Sequence, residues 1–134
     1  MSKKTIEKFK VDRDKLNQLV MKYSGLSIKR FYSLDSQVYR NGTLSRKTKE
    51  LLGLATSLVL RCDDCIKYHI IRCYEEGVTS KELEEALAIA LVVGGSITIP
   101  HLRRAFQTWD GLQKSKSLRV RKSKKGESKS KYAR

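Results

Sequence analysis

Apolar residues recur at every third or fourth position through most of the chain, which is the spacing of a helix that buries one face. The pattern predicts a first helix over residues 5–24 and a second over about 27–40, which ends at the turn pair Asn41-Gly42. A third helix is predicted after Ser45, because serine is a favourable N-cap. No stretch alternates apolar and polar residues with the two-residue period of a strand. The fold is therefore predicted to be all-α.

Three more helices are predicted in the second half of the chain. The fourth covers about 63–76, and the fifth begins at residues 79–82, Thr-Ser-Lys-Glu, which have the spacing of a capping box. The fifth helix contains eight consecutive apolar residues, 86–93, and a helix that is apolar all round is buried on all sides. In so small a domain, this indicates a subunit interface as well as a core. The last helix is predicted over 96–114, so the whole is a bundle of five or six helices.

Charge is distributed unevenly along the chain. The formal net charge is +15, and residues 114–134 hold ten Lys or Arg and one acid, which is +9 of that total. A segment so poor in apolar residues cannot bury enough surface to offset its ordering entropy. We therefore expect a helical domain at 1–114 and a basic, disordered tail at 115–134. One hypothesis is that the tail binds nucleic acid through phosphate contacts, which are independent of sequence and weaken as salt rises.

Cysteine content and the N-terminal residues indicate a compartment. The chain has three cysteines, an odd number, and its first residues carry mixed charge with no apolar signal region. No apolar run approaches the roughly 18 residues that a membrane span requires. We therefore expect a cytoplasmic protein with reduced thiols, and no membrane partner.

The sequence from Cys62 to His69, CDDCIKYH, carries the most distinctive chemistry. In a helix, Cys65 and His69 lie one turn apart on the same face, so the imidazole can take the proton of the thiol. The helix N-terminus also favours a thiolate in its first turn. Once Cys65 is oxidised to a sulfenic acid, Cys62 can attack it and form a disulfide. The pattern therefore predicts a thiol peroxidase or a general disulfide reductase.

The two acids between the cysteines act in two ways. Asp63 or Asp64 can cap the fourth helix, because aspartate is a favourable N-cap residue. Adjacent carboxylates also raise the pKa of a thiol, which opposes thiolate formation.

Glu50 is the predicted partner of the histidine. In two antiparallel helices joined near Leu60, residues whose numbers add to about 120 lie at the same height along the hairpin. The numbers of Glu50 and His69 add to 119, so the two residues are level. Cys65 then lies about one turn nearer the connection, so the three side chains can converge. A carboxylate in this position orients the imidazole and stabilises its protonated form.

A zinc site is the competing interpretation of the same residues. Cys62, Cys65, His69 and Cys73 together form a known ligand set for zinc. However, the last three span about two turns of one helix, or roughly 12 Å of rise, which is too far for all to reach one ion. We therefore predict no metal and treat Cys73 as an inert buried thiol. His101 is predicted to lie at the surface or to approach the site from the last helix.

The spacing Glu50-x11-Cys62-x2-Cys65-x3-His69 resembles the signature of the AhpD-like alkylhydroperoxidases of the carboxymuconolactone decarboxylase superfamily. The similarity covers roughly residues 44–106. It implies an AhpD-like helical bundle with a catalytic helical hairpin, assembled into trimers or hexamers. It also implies peroxide reduction in which Cys65 attacks, Cys62 resolves, and Glu50 and His69 relay protons.

The resemblance further implies a hydroperoxide substrate and a dithiol or thioredoxin-like electron donor, with no cofactor. Well-characterised members carry a second histidine just before the second cysteine, where this chain has Asp64. The decarboxylases of the superfamily typically lack the cysteine pair, so the pair points to the redox branch.

Overall fold

The structure, a computed structural model, describes the chain through Ser130, with side chains described through Lys125. Six helices follow one another: α1 (Lys3–Tyr23), α2 (Leu26–Val38), α3 (Arg46–Val59), α4 (Asp63–Glu75), α5 (Ser80–Gly94) and α6 (Ile99–Ser130). A 3-10 turn at Ser96–Thr98 leads into α6. Residues 1–130 contain no strand, so the predicted all-α bundle is confirmed.

Side-chain caps fix where α3 and α5 begin. The Ser45 hydroxyl accepts a hydrogen bond from the Thr48 N–H, as the sequence predicts for an N-cap. Thr79 and Glu82 form the predicted capping box, in which each side chain accepts a hydrogen bond from the backbone of the other. The starting residues of both helices are therefore set by contacts that are local in sequence.

The core lies between α3, α4, α5 and the first half of α6. Its fully buried members include Leu54 and Leu58 of α3, Ile70 of α4, and Leu83 and Leu87 of α5. Burying one such side chain contributes roughly 1.5–3 kcal/mol. The α3–α4 hairpin is thus held on two sides by apolar packing, which makes it a rigid support for polar groups.

Much of the remaining apolar surface has no partner within the chain. No residue of α2 is buried, although α2 carries Ile28, Phe31 and Leu34. On α5, Val92 and Val93 are 84% and 70% exposed. The sequence predicts that this helix is apolar on all sides, and the structure covers only its inner side.

The last helix is longer than predicted. It continues as one helix to Ser130 instead of ending near Lys114, because the added residues are rich in the good helix formers lysine and arginine. From residue 116 to residue 125 every side chain is exposed, so this part of α6 adds no buried residue to the core. Residues 131–134 of the predicted tail lie outside the described part, and its nucleic-acid role stays a prediction. Among residues 1–130, no helix has the length and apolar character needed to cross a membrane.

Candidate functional site

A buried hydrogen-bonded pair of side chains joins α3 to α4. His69 Nδ1 is 2.8 Å from Glu50 Oε2, and the two residues are 8% and 1% exposed. The contact is the one predicted from the hairpin spacing. Glu50 also has Arg72 Nε at 3.7 Å from its other oxygen, so the buried carboxylate faces two basic groups. Since a carboxylate only accepts, the hydrogen on Nδ1 is fixed and Nε2 is the nitrogen left for chemistry.

The turn between the two helices sets the position of the first cysteine. Arg61 has a φ of 57°, in the left-handed region that glycine usually occupies at a helix end. The Arg61 N–H donates to the Leu58 carbonyl and the Cys62 N–H donates to the Ser57 carbonyl, which together form a Schellman motif. The backbone N–H of Cys62 therefore satisfies a carbonyl in the last turn of α3, which fixes Cys62 at the end of that helix.

The two cysteines of the motif are joined by a disulfide. Their Cα atoms are 5.3 Å apart, and the Cys65 N–H donates to Cys62 Sγ, which makes Cys62 the N-cap of α4. Cys65 lies in the first turn of α4 and is exposed, whereas Cys62 is partly buried. The second cysteine is thus the more accessible of the two.

An open cavity of about 630 Å³ lies beside the disulfide. Helix α4 lines one side of it with Cys65 and His69, and helices α1 and α2 line the other with apolar or aromatic side chains such as Leu16 and Tyr32 and with as many polar or charged ones. The structure thereby brings Cys65, His69 and, through His69, Glu50 to one cavity. Its size and lining suit a small molecule with an apolar part.

The two aspartates of the motif do different things. The prediction that one of them caps α4 is wrong, because Cys62 holds the cap position and the acids occupy the first turn. Asp63 contacts His101 and Arg104 of α6, at 2.8 and 3.1 Å. Partial burial acts to raise the pKa of Asp63, but the hydrogen bonds from Arg104 and His101 outweigh it and the pKa is lowered. Asp63 thus stays ionised with Arg104 as a counter-ion, whereas Asp64 is exposed and lines the cavity.

Two tyrosines against the histidine were not among the predicted site residues. The Tyr39 hydroxyl lies 3.4 Å from His69 Nε2, and the Tyr68 ring meets the imidazole edge-on with centroids 5.2 Å apart. Burial first, and then the charge of Glu50, raise the pKa of both phenols. Tyr68 is next to His69 in sequence and could have been proposed. Tyr39 lies thirty positions away, beyond the last turn of α2, where no spacing rule reaches.

A glycine in α3 makes room for this pair. A Cβ atom on Gly53 would lie 2.7 Å from His69 Cε1, 2.9 Å from His69 Nε2 and 2.8 Å from the Tyr39 hydroxyl. Contacts under 3.0 Å between these atoms require one of the partners to move. The imidazole and the phenol therefore approach each other only because position 53 has no side chain.

Gly53→Ala is expected to displace His69 and reduce the reactivity of Cys65 roughly tenfold or more, because misplaced catalytic groups lose about this much. The usual gain from Gly→Ala in a helix, about 1 kcal/mol, acts in the opposite direction on stability. The rate constant for thiolate alkylation by iodoacetamide, with the melting temperature, separates the two effects. Gly25→Ala is the control, since a Cβ there meets nothing within 4 Å. Unchanged alkylation in Gly53→Ala would contradict the steric argument.

The third cysteine takes no part in the site. Cys73 is fully buried, and burial first, followed by the charges of Glu50 and Glu76, raises its pKa to about 12. This agrees with the predicted inert thiol. Within the described residues, no three His, Cys, Asp or Glu side chains form a group that could hold a metal ion.

Comparison with known sequences identifies related proteins. Residues 28–108 match the sequence model of the Carboxymuconolactone decarboxylase family. A protein of Paracoccus denitrificans, "Uncharacterized protein 4 in cox locus", is 29% identical over 80 residues, which are 60% of this chain and 72% of the relative. An uncharacterized protein of Cupriavidus necator is 30% identical over 73 residues, which are 54% of this chain and 65% of the relative.

Solved structures agree with this family match. A crystal structure of a Thermotoga maritima protein superposes with a TM-score of 0.82 at 54% identity, covering 84% of this chain and 98% of the other. A second crystal structure of the same Thermotoga maritima protein, described there as a carboxymuconolactone decarboxylase family protein, gives 0.80 at 55% identity over 83% and 94%. A family member from Legionella pneumophila gives 0.73 at 24% identity over 81% and 96%, which supports the fold alone.

Proposed function

The chain belongs to the carboxymuconolactone decarboxylase family, and from that premise we propose that it is a thiol peroxidase acting on organic hydroperoxides. The observation that carries the proposal is the position of Cys65 at the cavity, one turn before a histidine that a buried carboxylate holds. This arrangement pairs a nucleophile with a base, and the base with an orienting acid. Cys65, Cys62, His69 and Glu50 are the proposed site residues.

The first half of the reaction oxidises Cys65. His69 Nε2 takes the Cys65 proton, and Glu50 stabilises the resulting imidazolium. The thiolate attacks the outer oxygen of the hydroperoxide, so that an S–O bond forms and the O–O bond breaks. The departing alkoxide takes the proton from His69 and leaves as an alcohol, while Cys65 becomes a sulfenic acid.

The second half closes and reopens the disulfide. Cys62 attacks the Cys65 sulfur, the S–S bond forms, and the oxygen leaves as water. A dithiol donor of the thioredoxin class then reduces the disulfide to two thiols and becomes a disulfide itself. Two electrons from the donor thus reduce one hydroperoxide to an alcohol and water. The disulfide seen between Cys62 and Cys65 corresponds to the oxidised end of this cycle.

A relative supports the same class of chemistry. For the Thermotoga maritima family member of 55% identity, an involvement in the antioxidative response has been suggested. Reduction of hydroperoxides is one reaction that serves such a response.

Thiol counting tests the proposal. The reduced chain has three thiols, and one equivalent of cumene hydroperoxide is expected to leave one, the buried Cys73. The thiols are titrated in denaturant after a quench. A titre that stays at three would refute the peroxidase proposal. If the thiols instead react only with a small disulfide such as oxidised glutathione, the general disulfide reductase is the better assignment.

We also propose that a second copy of the chain covers the exposed apolar side of α5 in a trimer or hexamer. Full burial of an exposed valine side chain by a second copy would stabilise the assembly by roughly 1.5–3 kcal/mol, and Val92 and Val93 are both exposed. α2 adds further apolar residues that no other part of the described chain covers. Two such surfaces on one small domain are typical of an oligomer.

Val92→Glu is expected to lower the molar mass measured by light scattering from that of an oligomer to that of the 15.4 kDa chain. A carboxylate cannot be buried between subunits without a partner. Lys81→Gln is the matched control, because it changes the net charge equally at an exposed position of the same helix. A wild-type chain that is monomeric at micromolar concentration would contradict the proposal.

A further inference from the structure

The Tyr39 hydroxyl is the second hydrogen-bonding partner of the catalytic histidine. It lies 3.4 Å from His69 Nε2, and the two ring centroids are 5.3 Å apart. Glu50 holds the other ring nitrogen at 2.8 Å. Within the described residues, these two contacts account for both nitrogens of the imidazole. The nitrogen that must accept the Cys65 proton is therefore the one that Tyr39 contacts.

The direction of the Tyr39 hydrogen bond depends on the charge of His69. In the neutral imidazole, Nε2 has a lone pair and the phenol O–H donates to it. In the imidazolium, Nε2 carries a hydrogen and the phenol oxygen accepts it instead. A hydrogen bond to a charged group is roughly twice as strong as one between neutral groups. Tyr39 consequently stabilises the protonated form of His69 more than the neutral form.

We propose that Tyr39 is a positioning residue that favours the Cys65 thiolate by accepting a hydrogen bond from protonated His69. The inference rests on the proposed thiol peroxidase function, because it assigns Tyr39 a part in the same proton transfer. It adds the phenol to the residues that set how much thiolate exists at neutral pH.

Two further observations support this role. Burial and the charge of Glu50 raise the pKa of Tyr39, so the phenol keeps its own proton while Cys65 ionises. Tyr39 therefore reorients and does not act as a base. Gly53 leaves open the space in which the phenol reaches the imidazole, since a Cβ there would lie 2.8 Å from the hydroxyl oxygen.

Several other ionisable groups surround the imidazole and must stay constant in a test. They are Glu50 on α3, Asp64, Cys65, Tyr68 and Arg72 on α4, Asp35 on α2, and Asp12 and Arg13 on α1. Replacing Tyr39 with phenylalanine leaves all of them unchanged. It removes one oxygen atom and keeps the ring beside His69, so the packing is retained.

The experiment measures the pH midpoint of thiolate formation by absorbance at about 240 nm in reduced chains. Cys62→Ser serves as the background, so that the Cys65 thiolate is the signal, because the pKa of Cys73 is about 12. Tyr39→Phe is expected to raise the midpoint by roughly half to one pH unit. Its rate with cumene hydroperoxide should fall about three- to tenfold at neutral pH and reach the wild-type value at high pH.

Tyr74→Phe is the matched control. Tyr74 lies on α4 like His69, but its ring packs edge-on against Trp109, with centroids 6.1 Å apart, and does not line the cavity. Its midpoint is expected to be unchanged. The inference is overturned if Tyr39→Phe leaves the midpoint in place, lowers only the high-pH rate, or matches Tyr74→Phe. The midpoint is measured without peroxide, so a chain that forms the thiolate but ignores hydroperoxides would refute the peroxidase function alone.

Discussion

Cys65→Ser is expected to abolish hydroperoxide consumption, by on the order of a thousandfold or more. Serine keeps the size of the side chain, but its hydroxyl does not ionise near neutral pH and cannot supply the attacking anion. Cys62→Ser is expected to react once at close to the wild-type rate, because the exposed Cys65 still lines the cavity together with His69. It then stops as a sulfenic acid, since no second thiol closes the disulfide.

Stopped-flow consumption of cumene hydroperoxide, with and without dithiothreitol, measures both steps. A sulfenic-acid reagent such as dimedone should label Cys62→Ser and not Cys65→Ser after peroxide is added. Cys73→Ala is the control at the remaining thiol, which is fully buried and lies away from the cavity. The assignment is reversed if Cys62→Ser loses its first turnover while Cys65→Ser retains one.

Glu50→Gln is expected to lower kcat/KM by about 10²–10³, within the range typical of general acid–base groups. Glutamine has nearly the same size, and its carbonyl can still accept from His69 Nδ1. It carries no charge, however, so the imidazolium loses its stabilising partner at 2.8 Å, and Arg72 loses a buried counter-ion. The Cys65 thiolate should form at higher pH as a result.

The pH dependence of kcat/KM and the melting temperature together check this prediction. Glu75→Gln is the matched control, because Glu75 also pairs with Arg72 but its side chain is 37% exposed. Removing that surface contact should change the rate less than twofold, as expected for an exposed ion pair. A full rate in Glu50→Gln would show that the buried carboxylate serves packing alone.

The central part of the site was predictable because it follows from helical periodicity. Glu50 and His69 are brought together by two helices with a short connection, and the positions of polar residues within two apolar patterns encode that geometry. Residue spacing also predicts the capping box at Thr79, because that motif depends on side chains three positions apart. These features are local in sequence or involve adjacent helices.

The remaining features of the site depend on tertiary contacts and on local backbone conformation, which the spacing of residues does not predict. Tyr39 contacts His69 from just beyond the end of α2, a helix with no buried residue, so its position follows from tertiary structure and not from a repeat. The N-cap at Cys62 was missed because aspartate is the commoner capping residue and two aspartates follow it. Arg61 adopts a left-handed conformation in which glycine is the usual residue, so the sequence did not predict this turn.

The double role of Cys62 has a consequence for how the chain can cycle. Its N–H completes the end of α3 and its sulfur begins α4, and both bonds involve groups that remain when the disulfide is reduced. The Cα separation of 5.3 Å is also ordinary for two residues three positions apart in a helical turn. We therefore expect electrons to pass in and out with only side-chain rotation. On this expectation, reduction and oxidation of the disulfide require no rearrangement of the hairpin backbone.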